Sequence, residues 1–301
     1  MRTRMCGLSV AVVLAIPLGV SAQTGPPRVG FGEPMSSDVL ARQPQTAGAV
    51  GDQQRHYFFK DAGREMPYRL YVPKGYNRNV KTPLVVALHG FGGNQDYFFA
   101  VAPNLPDLID RHGFIFVAPM GYSIGGWYGA PLSIPGDRMR EMMAAEGRTP
   151  PPAPPGPSPK ADGIKHERAL SERDVMNVID LVRAEYNVDN DRTFLMGHSM
   201  GGLGAYFLGQ KYASRWAAIA PMSGTMTHYD YSLDRLRKVP ILVSAGSTEV
   251  LTSREARRQV EAMRQMGMTA EYAEIDGGTH MSMIAPTIPK TFEFFQMHAR
   301  Q

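Results

Sequence analysis

Four runs most constrain how this chain can fold: "TPLVVALHG" (82–90), "FIFVAP" (114–119), "RTFLMG" (192–197) and "VPILVSAG" (239–246). Each is apolar without alternation and closes on glycine or proline. A strand with one wet face would alternate, so these runs read as strands covered on both faces. Between them lie stretches with helical spacing. In "SERDVMNVIDLVRAEYNV", Ser171 offers a cap with Asp174 three residues on, and Val175, Val178, Ile179 and Val182 share one face. "TSREARRQVEAMRQMG" reads as a helix opened by Thr252 and Glu255, and "PKTFEFFQMHA" as a closing helix. Residues 97–113 read as a helix interrupted by prolines. "RHYFFKD" and "MPYRLYVP" read as strands joined by a turn near Gly63, and "TAEYAEID" as another strand. Buried strands alternating with helices predict an α/β class, with a mostly parallel central sheet and helices on both faces. Chemistry in such sheets collects beyond the carboxyl ends of the strands. That points to the loops after residues 88, 118, 198, 221, 245 and 275.

The first residues bear on location. "MRTRM", the apolar "GLSVAVVLAIPLGV" and the small residues Val20, Ser21 and Ala22 follow the order of a secretory leader, with cleavage expected after Ala22. The apolar part is short for a membrane span, so an exported, secreted or periplasmic protein without a span in the mature chain is expected. The single cysteine, Cys6, lies inside that leader. A mature chain without thiols excludes disulfides, thiolate metal sites and a cysteine nucleophile. Losing Arg2 and Arg4 lowers the formal charge from +4 to +2, and the basic residues are scattered. Nucleic acid is therefore not an expected partner. Residues 23–52, rich in Gly, Pro and polar residues, read as a flexible lead-in, and 53–301 as the catalytic domain. A Pro-rich insertion at about 123–170, with "TPPPAPPGPSP", reads as extended and exposed. "GDRMREMMAAEG" ahead of it could form a short helix.

The stretch "FLMGHSMGGLGAYF" (194–207) places Ser199 between Gly197 and Gly201, after an apolar run and before a helix. This is a nucleophile elbow: a strained strand-to-helix turn that projects a hydroxyl and needs glycine at the flanking positions. A serine hydroxyl needs a base, a group that orients the base, and donors for an oxyanion. With serine, acid and histidine in that order, His228, His280 and His298 are the histidines left. His280, in the glycine-hinged "IDGGTHMSM", is the expected base. The first carboxylate after the "PILVSAGSTEV" strand is Glu249, the expected acid, with Asp230, Asp234 and Asp276 as alternatives. Met200 supplies one oxyanion N–H and Phe91, in "HGFGGN", the second. Trp127 and Tyr128 in "GGWYG", with His198, are candidate substrate-binding residues. The "GFGG" run lacks the spacing of a phosphate loop, and no HExxH or ligand-spaced cluster suggests a metal. No cofactor is expected.

On "YRLYVPKGY", "PLVVALHGFGGN", "GHSMGGLGAY", "AAIAPMSG", "AGSTE" and "GGTH", residues 55–300 resemble the α/β-hydrolases. They are most similar to secreted esterases of the polyhydroxybutyrate-depolymerase-like and feruloyl-esterase-like kind. Glu249 stands where that group usually has Asp. The resemblance implies an α/β-hydrolase fold and a serine hydrolase acting on small-molecule or polymeric carboxylic esters. Two alternatives remain: a serine peptidase of the prolyl-oligopeptidase kind, and a catalytically silent hydrolase fold used for binding.

Overall fold

The computed structural model describes residues 30–33, 35–131, 144, 161–225 and 233–299. The expected leader at 1–22 and most of the expected Pro-rich insertion, including the short helix expected near Met139, lie outside the described residues.

Eight strands form one sheet in the order β1-β2-β4-β3-β5-β6-β7-β8. The strands β1 (Gly51–Phe59) and β2 (Arg64–Val72) make an antiparallel hairpin at one edge, turned through Gly63 in the left-handed region. β2 runs antiparallel to β4 (Ile115–Pro119). From there β3 (Thr82–Leu88), β5 (Val188–His198), β6 (Ala218–Met222), β7 (Ile241–Gly246) and β8 (Ala270–Ile275) are all parallel.

The continuous apolar runs are explained by burial on both faces. Along β3, Leu84, Val86 and Leu88 join a core with α4 (Ala161–Glu185), α5 (Met200–Lys211) and α7 (Val250–Gln265). Val85 and Ala87 face the other way, toward α2 (Tyr97–Val101), α3 (Leu105–His112) and α8 (Ile284–Gln296). On that second face Phe194 stacks on Phe295 at 4.6 Å between ring centroids. Two short helices, α1 (Ser37–Leu40) and α6 (Leu233–Leu236), complete the named α-helices.

Several expectations are corrected. The helix expected from Ser171 begins at Ala161, so Ser171 and Asp174 are not a capping pair; both are fully buried in its interior. Within the span read as insertion, 123–131 is a loop with a 3-10 turn at Trp127–Gly129, and 161–170 is helix. The helix placed at Thr252 opens at Val250, with Glu249 preceding it. The lead-in is not a free tether where it is described. Leu40 is buried, the Ser37 hydroxyl accepts the Glu65 N–H, and Arg55 on β1 donates to the Thr46 carbonyl.

Candidate active site

Ser199 stands at the corner between β5 and α5 with φ 55° and ψ −113°, a conformation that L residues seldom adopt. The turn is possible because of its flanks. A Cβ on Gly197 would stand 2.1 Å from the Gly201 carbonyl oxygen, and one on Gly201 would stand 2.0 Å from the Leu88 carbonyl oxygen. The strain, of order 1–3 kcal/mol, is carried by this packing and by the Ser199 N–H bond to the Met222 carbonyl. Ser199 itself remains partly exposed.

Two loops bring the expected base and acid to it. His280 Nε2 lies 2.9 Å from Ser199 Oγ, and His280 Nδ1 lies 2.6 Å from Glu249 Oε1. Glu249 is only 2% exposed. Its second oxygen accepts the Ser223 hydroxyl at 2.6 Å and the Gly246 N–H at 3.0 Å. Burial alone would raise this carboxyl, but the His280 ring and charge, the Ser223 hydroxyl and the Gly246 amide outweigh it and hold the pKa below the ordinary 4.5. The acceptor at Oε1 places the ring proton of neutral His280 on Nδ1, leaving Nε2 to accept from Ser199.

The loops bearing Glu249 and His280 are stitched to each other. Thr248 donates its N–H (3.1 Å) and its hydroxyl (2.7 Å) to the Gly278 carbonyl, and Gly277 N–H donates to Ser247 Oγ at 2.8 Å. A Cβ on Gly246 would stand 2.1 Å from that same Gly278 oxygen, so glycine is what permits the approach.

Among the described residues, the backbone amides of Met200 and Phe91 have no acceptor. Met200 opens α5, where the first-turn N–H groups are unpaired and the dipole favours negative charge. Phe91 follows Gly90, whose Cα hydrogens face Ser199: a Cβ there would lie 3.5 Å from Ser199 Cβ. Its own ring is 49% exposed and lies beside Trp127, with centroids 6.3 Å apart.

Two candidate binding residues are corrected. Tyr128 is 0% exposed and donates its hydroxyl to the His89 carbonyl, so it packs beneath the site instead of lining a cleft. His198 is also fully buried. Its Nε2–H donates to the His280 carbonyl at 2.7 Å and its Nδ1 accepts from Tyr97 at 2.8 Å. Of the alternative partners, Asp276 is exposed, Asp234 pairs with Arg237, and His298, just past the end of α8, bonds the Phe294 carbonyl of its last turn. His228 and Asp230 lie outside the described residues.

The loop after β4 is held by a polar stripe on α4. Asp174 accepts the N–H groups of Gly121 and Tyr122 and the Tyr57 hydroxyl, Ser171 accepts the Tyr128 N–H, and Glu167 accepts the Ser123 hydroxyl. These bonds sustain positive φ at Tyr122, Trp127 and Tyr128. Sequence reasoning missed Ser223, Tyr97 and this stripe. For Ser223 a signal existed, since it follows β6 among the strand ends singled out. Among the described residues, no group of three or more His, Cys, Asp or Glu could hold a metal, and no helix is long and apolar enough to cross a membrane.

A crystal structure of a thermostable esterase aligns with 83% of this chain and 63% of its own, at 24% identity and a TM-score of 0.54. The ferulic acid esterase Fae1A of Anaeromyces mucronatus aligns over 85% of this chain and 95% of its own, at 16% identity and a TM-score of 0.56. The fold is the α/β-hydrolase fold. The Esterase family model matches residues 175–283, which include Ser199, Glu249 and His280. A bifunctional acetylxylan esterase/xylanase of Neocallimastix patriciarum is 26% identical over 176 residues, 58% of this chain. The match covers only 20% of that relative's length. The chain thus resembles esterases of this fold.

Proposed function

We propose that the protein is an exported serine hydrolase of carboxylic esters, working through Ser199, His280 and Glu249 with a covalent acyl-enzyme. The observation that carries this reading is the unbroken hydrogen-bond chain from Ser199 Oγ through both nitrogens of His280 to a buried, anionic Glu249. The likeness to esterases supports the choice of ester over other acyl donors, and the leader-like first residues support export.

In this mechanism Ser199 Oγ attacks the ester carbon while its proton passes to His280 Nε2. The imidazolium that forms keeps its Nδ1–H on Glu249, whose charge offsets it. The carbonyl oxygen, now anionic, takes the amides of Met200 and Phe91, each such donor being worth about 3–4 kcal/mol to the transition state. His280 then gives its proton to the departing alcohol. Water enters, loses a proton to His280 and releases the acid by the same steps. The apolar part of the ester rests against Phe91 and Trp127. Ser199→Ala tests the reading: with p-nitrophenyl acetate, kcat/KM is expected to fall by at least about 10³-fold. A rate equal to wild type would reject it.

A further inference from the structure

Residues 30–33 do not trail in solvent; they lie on the loop that follows β3. Gly32 N–H donates to the Gly92 carbonyl at 2.9 Å and Asn94 N–H to the Gly30 carbonyl at 3.3 Å. Phe31 pairs antiparallel with Gly93, and Asn94 Nδ2 reaches the Gly32 carbonyl at 3.4 Å. Gly30 has φ 93°, and a Cβ there would stand 2.7 Å from Ala100 Cβ, so the seat accepts glycine alone. The Phe31 ring meets Tyr97 edge-on at 5.3 Å.

These contacts reach two parts of the site together. Gly92 directly follows Phe91 and is gripped from both sides, its N–H by the Ile124 carbonyl and its carbonyl by Gly32. With glycine at 90, 92 and 93, the loop has many backbone states in which the Phe91 amide points elsewhere. Tyr97, beneath Phe31, bonds His198, which in turn holds the His280 carbonyl.

We propose that Gly30–Gly32 is a positioning element of the active site, with Phe31 as its anchor, fixing the Phe91 amide and the Tyr97–His198 pair from outside the catalytic loops. The proposal rests on the serine-hydrolase reading above. Because the segment acts through the oxyanion donor, its loss affects the transition state and not the ground state.

The test uses Gly30→Val and Phe31→Ala in the full chain, with p-nitrophenyl acetate kinetics, inhibition by phenylboronic acid as a tetrahedral adduct, and thermal melting. Expected is a fall in kcat of about tenfold or more for Gly30→Val, with KM changed less than about twofold. The boronate inhibition constant is expected to rise in parallel while melting stays within a few degrees. Phe31→Ala, which keeps the backbone bonds, shows the smaller effect in the same direction. Unchanged kcat and boronate affinity in both variants overturn the proposal. So does a rise in KM alone, which would make Phe31 a pocket wall, or a loss of kcat that merely tracks collapsed melting. If Ser199→Ala is inactive while both variants match wild type, only the positioning role fails; if Ser199→Ala is active, the hydrolase reading fails first.

Discussion

Replacing Glu249 by glutamine changes one carboxylate oxygen to NH2 with little change in shape, and the surroundings decide which way the amide turns. Oε2 lies between two donors, the Ser223 hydroxyl and the Gly246 N–H. The hydroxyl can rotate, but the amide of Gly246 cannot become an acceptor. An NH2 placed there leaves a buried donor facing a donor, at a cost of about 1–3 kcal/mol. The glutamine oxygen therefore takes that place, and its NH2 faces His280 Nδ1. The ring must then accept at Nδ1 and carry its proton on Nε2, the nitrogen 2.9 Å from Ser199 that has to receive one. Turning the amide over restores the useful tautomer, yet a neutral oxygen then replaces the charge beside the imidazolium. That substitution forfeits a further 1.5–3 kcal/mol or so. The two effects together give roughly 10²- to 10⁴-fold in kcat. Initial rates of p-nitrophenyl acetate hydrolysis at neutral pH measure this directly. A glutamine variant within about threefold of wild type would refute the reasoning, because it would mean that the His280 tautomer does not depend on Glu249.

Two further outcomes concern stability. Gly201→Ala drives a methyl group against the Leu88 carbonyl, 2.0 Å away, and is expected to cost about 3 kcal/mol, or roughly 6–12 °C in melting temperature. Gly75→Ala, with open space around it, is the neutral comparison, and equal melting of the two would refute the close-packed elbow. Asp174 is lifted by burial to about 6 from the ordinary 3.8, despite the Tyr57, Tyr122 and Gly121 donors and the nearby Arg64 charge. The folded chain therefore binds more protons than the unfolded chain between those values, and its stability rises as pH falls through that window, by roughly 3 kcal/mol. Denaturant titrations on either side of 6 are expected to lose this component in Asp174→Asn. An unaltered difference between the two pH values would count against it.

The sheet was legible because its signal is thermodynamic: strands buried on both faces must be largely apolar, and β3, β4, β7 and the Phe194–Gly197 part of β5 are, whereas the exposed start of β5 at Asn190 and Asp191 is polar. The elbow was legible because sterics leave glycine as the choice at 197 and 201. What stayed hidden was polar and non-local. Ser171 and Asp174 carry the spacing of a capping pair, yet that spacing equally puts them on one helix face, where they bind a loop about fifty residues earlier in the chain. Tyr128 and His198 looked available because polar aromatic residues near strand ends often line clefts, but each spends its polar atoms on backbone or side-chain partners in the interior. Residues 30–33 have the composition of a tether, and only the three-dimensional partner at 92–94 gives their backbone groups somewhere to bond.

The seam between the loops after β7 and β8 has a consequence for how this site tolerates motion and change. With Thr248 and Ser247 sewn to Gly278 and Gly277, acid and base ride on one mount. Breathing of the sheet's edge shifts them as a pair, so the gap that varies is the one to the nucleophile. The arm length of Glu249 is fitted to that mount, and a shorter acid at this position would require the seam itself to be re-cut.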